Sequence, residues 1–146
     1  MKNILCTTLL SLLILSLIGC SKDDKTVAPG ITAAQVNTII TEGSWKVTSY
    51  TEAGNDETSN FSTYAFTFSP EGVLTATGAK TKVGTWSSTT DIGLVIIPVA
   101  FASEVDGPFE SITEDWSVLT CTNLKLELKH TSGDDGSIDL LSFEKM

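Results

Sequence analysis

The 146-residue sequence predicts an all-β fold, an eight-stranded antiparallel up-and-down β-barrel preceded by a short N-terminal α-helix. Three observations predict it. From Ser44 onward apolar residues recur with a period of two in about eight short segments, the mark of half-buried strands. Only one segment, just before them, carries a helical period. The connectors between strand segments alternate between tight and long, as expected when consecutive strands run up and down and gather odd connections at one end and even ones at the other. An eight-stranded closed sheet has an interior just wide enough for side chains or one small ligand, and closure removes the edges through which sheets aggregate.

The chain opens on a segment that stands apart from this domain. Lys2 is followed by an apolar run from Ile4 to Ile18 and then by the small residue Gly19. That run is too short to span a bilayer with margin and reads as an export signal over residues 1–19. Its removal leaves 127 residues (146 − 19 = 127), enough for one domain and not two. Residues 20–31 include the charged, turn-rich run from Ser21 to Gly30, which has no apolar periodicity and reads as a flexible tether. The barrel domain is expected over residues 32–146.

Thr32-Ala33-Ala34-Gln35 fits a capping box, in which a hydroxyl and a carboxamide satisfy orphan backbone donors at a helix start. Val36, Ile39 and Ile40 then share one side, and Gly43 ends the helix. Strands are expected near residues 44–51, 62–69, 73–77, 82–87, 92–97, 114–120, 124–130 and 138–144. Leu124, Leu126 and Leu128 alternate with Lys125, Glu127 and Lys129, one dry face and one wet. Tyr64, Phe66 and Phe68 likewise share a face. The run from Ile92 to Ile97 is apolar on both faces, which predicts a cover on its outer side, with the early helix as the candidate.

Ser69-Pro70-Glu71-Gly72 matches a type I turn, with Pro second and Gly fourth. Residues 88–91 and 121–123 are similarly short, whereas 52–61, 98–113 and 131–137 are longer and 78–81 joins them at the same end. The 98–113 connector holds Phe101 and Phe109 between Pro98 and Pro108, unusual apolar content for a surface connection. Trp116 begins the next strand. Phe101, Phe109, Trp116 and Tyr64 are therefore the candidate ligand-binding residues. The two Phe rings either plug the opening or form a lid over an apolar ligand.

Charge excludes several partners. Nine Lys against 18 Asp and Glu give a net charge of −9, which repels nucleic-acid phosphates and anionic headgroups. Cys6 lies in the leader, so Cys121 is the one thiol expected inside the domain, and no disulfide framework exists. His130 is the sole histidine, which argues against zinc and against a nucleophile–base pair. Gly133-Asp134-Asp135-Gly136 with Asp139 is acidic but lacks EF-hand spacing. Glu114 and Asp115 are adjacent and point to opposite faces of a strand. No enzyme activity, catalytic residue, metal or cofactor is expected, and the domain is expected to be a monomer.

Two resemblances extend this reading. Leu17-Ile18-Gly19-Cys20 resembles the lipobox of bacterial lipoproteins, which implies cleavage before Cys20, lipid attachment to its thiol, and an outer-membrane location. Asp23-Asp24 behind it is similar to a signal for display on the cell surface. Gly43-Ser44-Trp45 at the start of the first strand resembles the Gly-x-Trp signature of lipocalins. With Phe66-Thr67-Phe68, Gly84-Thr85-Trp86 and Asp115-Trp116, the chain looks like the small lipocalin-like domains of bacterial surface lipoproteins. That likeness implies non-catalytic binding of a small apolar or amphipathic ligand. The alternative is a protein-interaction module, an inhibitor or accessory subunit of a surface complex, with a packed interior and acidic loops such as residues 52–60. In lipocalins the matching Trp packs beneath an arginine. This chain has no arginine, which leaves Lys145 or Lys129 to take that place.

Overall fold

The computed structural model describes residues 30–102 and 107–146. The expected leader, Cys20 and the tether up to residue 29 lie outside the described residues. The period-two segments form strands β1 (Trp45–Glu52), β2 (Asn55–Asp56), β3 (Ala65–Phe68), β4 (Val73–Thr77), β5 (Lys82–Trp86), β6 (Thr89–Asp91), β7 (Leu94–Phe101), β8 (Asp115–Cys121), β9 (Lys125–Thr131) and β10 (Ile138–Lys145). Helix α1 (Ala33–Ile40) precedes them, a 3₁₀ turn covers Thr58–Phe61, and the single turn α2 (Pro108–Ser111) follows β7.

Eight of these strands make the cylinder. All pairings are antiparallel, in the order β1-β3-β4-β5-β7-β8-β9-β10. The ring closes where β10 returns to β1, from Trp45 opposite Lys145 to Thr51 opposite Leu140. The expected eight-stranded barrel with its short N-terminal helix is thus the observed fold. β2 and β6 are additions to it, short partners that turn two connectors into hairpins on β1 and β7.

Helix α1 begins as expected. Gln35 N donates to Thr32 Oγ1 at 3.2 Å and Thr32 N donates to Gln35 Oε1 at 2.9 Å. Its placement corrects the expectation that it covers the outer side of residues 92–97. Val36 and Ile40 are fully buried in the same core as Trp45, so α1 closes one end of the barrel instead. The outer side of the residue 92–97 run is left without a cover inside the molecule. Val95 and Ile97 face inward, while Leu94 stays 37% exposed on a hairpin arm. The Ser88 hydroxyl at the foot of that arm donates to Asn37 Oδ1 at 2.6 Å, with the Ala33 carbonyl 3.3 Å away.

The three indoles fasten the two ends. Trp45 Nε1 donates to the Ile40 carbonyl at 2.9 Å, holding the last residue of α1. Trp86 Nε1 donates to the Ser69 carbonyl at 3.0 Å, holding the β3–β4 turn. Both belong to the helix end. Trp116 Nε1 donates to the Ile112 carbonyl at 3.1 Å, just past α2 at the opposite, looped end. Each tryptophan therefore buries its ring and spends its one polar atom on the backbone of a closing segment. Of the two lysines expected as the cation over this ring, Lys145 takes the place, its Nζ 5.3 Å from the Trp45 centroid. Lys129 does not, being paired with Ser117 and Leu140 on the barrel wall.

Candidate functional site

The looped end is the site. Its floor is made by inward residues of the strands, and its roof comes from connectors. A β-bulge between Val47 and Ser49 shifts the alternation of β1, so Tyr50, which strict period two places outside, turns inward and is fully buried. Its hydroxyl donates to the Ser111 carbonyl at 3.0 Å. Burial, reinforced by the carboxylates of Glu52 and Asp139, pushes the Tyr50 phenol well above its usual range.

Phe109 occupies the centre. Pro108 starts α2 with its fixed φ after Gly107, which has φ +93°, and the turn aims Phe109 into the barrel at 1% exposure. The ring meets Phe101 at 4.8 Å, Tyr64 at 4.9 Å, Phe61 at 5.5 Å and Phe66 at 6.2 Å between centroids. The Thr113 hydroxyl ties α2 to β7, accepting from Phe101 N at 3.1 Å and donating to the Phe109 carbonyl at 2.9 Å. Phe101 is the last residue of β7 rather than part of the loop.

The four sequence-derived candidates thus gather at one end. Phe101 and Tyr64 both touch Phe109, and Trp116 joins the cluster through Tyr50 at 6.5 Å. Two members, Tyr50 and Phe61, escape sequence reasoning. For Phe61 the signal was a lone aromatic closing an otherwise polar connector. For Tyr50 there was none, because the bulge that turns it inward leaves no mark in the residue pattern.

Polar groups around the mouth are engaged. His130 Nδ1 lies 3.1 Å from the Asp115 carbonyl and Nε2 lies 3.5 Å from Glu114 Oε2, so the sole histidine is held on both sides. Asp139, 8% exposed, accepts at Oδ1 from Ala53 N at 2.8 Å. That contact braces the Ala53-Gly54 turn, whose φ values are +47° and +85°. Asp135 accepts from Ser137 N at 2.9 Å. Among the described residues no group of three or more His, Cys, Asp or Glu is placed to hold a metal. At the other end of β8, burial pushes the Cys121 thiol up to about 11, which removes the thiolate needed for reaction at neutral pH.

The rim itself is acidic. Glu52, Asp56, Glu57, Glu110, Glu114, Asp134 and Asp135 stand in or beside its connectors, against Lys80 and Lys82. Comparison with the models of known protein families, with curated proteins and with solved structures returned no match.

Proposed function

We propose that this chain is a lipid-anchored, lipocalin-like lipoprotein of the outer membrane that acts as a non-catalytic protein-interaction module, its barrel packed solid and its acidic rim meeting a basic partner surface. The observation that carries this reading is Phe109, which fills the mouth at 1% exposure and touches four other rings. Those rings include two of the residues that would line a ligand site. An interior satisfied by its own side chains has little to gain from an apolar guest. The acylated Cys20 supplies the anchor. Helix α1, which follows the tether, sits at the end opposite Phe109, so the rim points away from the membrane. An accessory subunit or inhibitor of a surface complex fits that orientation.

The experiment that tests the interior is titration with a fluorescent fatty-acid probe, alongside mass spectrometry of lipid extracts of the purified protein. No saturable binding and no co-purifying lipid are expected. Saturable binding would overturn the packed-interior reading in favour of a small apolar or amphipathic ligand. Labelling with an alkyne fatty acid tests the anchor, and Cys20→Ala should abolish it.

A further inference from the structure

Large apolar side chains stand in water at the helix end of the barrel. Ile92 is 95% exposed, Leu124 and Met146 are each 71% exposed, and Leu94 is 37% exposed. Ile92 and Leu94 belong to the tip of the β6–β7 hairpin, and Leu124 to the β8–β9 turn. Met146 lies beside Leu124, because Lys145 N donates to the Leu124 carbonyl at 2.9 Å and Met146 N donates to the Ser44 carbonyl at 2.9 Å. Antiparallel pairing puts all of these pieces at the end opposite Phe109. Among the described residues, Val73 is exposed at the start of β4 beside the helix-end turn, Val83 and Leu140 along the wall, and Ile138 at the looped end.

The backbone adds a second observation. Asp91 pairs with Leu94 across a two-residue turn in which Ile92 has φ +46° and Gly93 has φ +79°. Such a turn favours Asn, Asp or Gly in its first central place, and a β-branched residue there is strained. Ile92 gains no packing inside the molecule in return. An apolar environment outside the molecule would reward it.

The path of the chain says what that environment is. Residues 30–32 lead into α1, whose Ala33 carbonyl lies 3.3 Å from the Ser88 hydroxyl at the foot of the same hairpin. Cys20 precedes Gly30 by ten residues (30 − 20 = 10), a reach of at most about 36 Å when fully extended. Charges at this end are Lys46, Lys125 and Lys145 against Glu42, Glu71, Asp91, Glu127 and Glu144, with Lys125 paired to Glu127 at 2.7 Å and Lys145 to Glu42 at 3.9 Å. The acidic excess is smaller than at the opposite rim and partly paired, and a neutral lipid surface does not repel it.

We propose that the helix end of the barrel is a membrane-contacting face, with Ile92, Leu94, Leu124 and Met146 seated at the boundary between headgroups and acyl chains. This rests on the reading of Cys20 as acylated. The acyl chains hold the protein at the bilayer, and the apolar tips fix its orientation there.

The test uses the full-length chain, processed and acylated in a Gram-negative bacterial host and reconstituted into phosphatidylcholine vesicles containing a phospholipid with a diazirine in its acyl chain. After photolysis, adducts are expected on peptides holding Ile92, Leu124 and Met146, and not on those covering residues 52–60 or 132–137. The double variant Ile92→Asn, Leu124→Asn should stay folded by circular dichroism and remain on the vesicles. Its barrel adducts should fall by about fivefold or more, as the inserted apolar area is lost. Vesicle-bound protein with adducts confined to residues 20–31, or shared with the rim, would overturn the membrane face while leaving the anchor standing. A chain that does not float with the vesicles would overturn both.

Discussion

Truncating Phe109 to alanine removes the ring on which Phe101, Tyr64, Phe61 and Phe66 converge. The loss expected from a fully buried Phe is about 3–5 kcal/mol, read as a lower urea midpoint with unchanged slope. A loss under about 1 kcal/mol would mean that the mouth relaxes around the gap and that Phe109 is not structural. Titration at the residue scale gives a second prediction. Burial raises the Cys121 thiol from 9.0 to about 11, and the buried Tyr50 phenol also rises from its ordinary 10.0. Below pH 9 both folded and unfolded chains keep these protons. Above it the unfolded chain releases them first, so stability falls as pH rises from 9 toward 11 and continues to fall as Tyr50 joins. Denaturation midpoints measured between pH 8 and 11 check this, and Cys121→Ala should flatten the lower part of the decline.

Among the elements, the hairpin turns make the sharpest contrasts. Ile92→Asn replaces a strained β-branched residue with one that tolerates the left-handed region, and should stabilise the protein in solution by about 0.5–1 kcal/mol. Thermal unfolding of the detergent-free protein would detect it. Gly84→Ala should do the reverse. A Cβ there would lie 2.5 Å from the Ala100 carbonyl oxygen and 2.8 Å from Phe101 Cδ1, so β5 and β7 must separate at a cost of about 1–3 kcal/mol. Acid weakens other turns, since Ser and Thr donors hold the carboxyls of Asp56, Glu71 and Asp135 below their ordinary range. That contribution is present at neutral pH and is lost as pH falls through their folded-state values.

The elements also show what the sequence could disclose. Eight strand segments were legible because each turns one face to the core, and period two survives without tertiary knowledge. The β6–β7 hairpin was not, because Ile92-Gly93 lacks the Asn or Asp that announces such a turn and Pro98 argues against a continuing strand. Pro98 is tolerated because its carbonyl accepts from Ser87 N, and its ring nitrogen shares that edge, where β7 passes from β6, paired to residues 94–96, to β5, paired to residues 99–101. The aromatic mouth was half legible. Phe101, Phe109, Tyr64 and Trp116 stood out by type and place, while Tyr50 depended on a bulge that only backbone pairing shows.

For the whole molecule the two ends of the cylinder differ in kind. One carries a strongly acidic rim around a ring-filled opening, the other a smaller, partly paired acidic excess and bare aliphatic tips. A partner captured by the rim should therefore bind more weakly as salt rises, since exposed charges are screened beyond about 8 Å at physiological ionic strength. Binding measured between low and high salt would check this, and a flat response would exclude the rim as the contact. The seam between β1 and β10 has a further consequence. A cylinder whose first and last staves are neighbours cannot be sealed while its final stave is still inside a ribosome or a secretion channel. Until β10 arrives, β1 and β9 each keep an unpaired edge, so the seam forms last as the chain emerges N-terminus first.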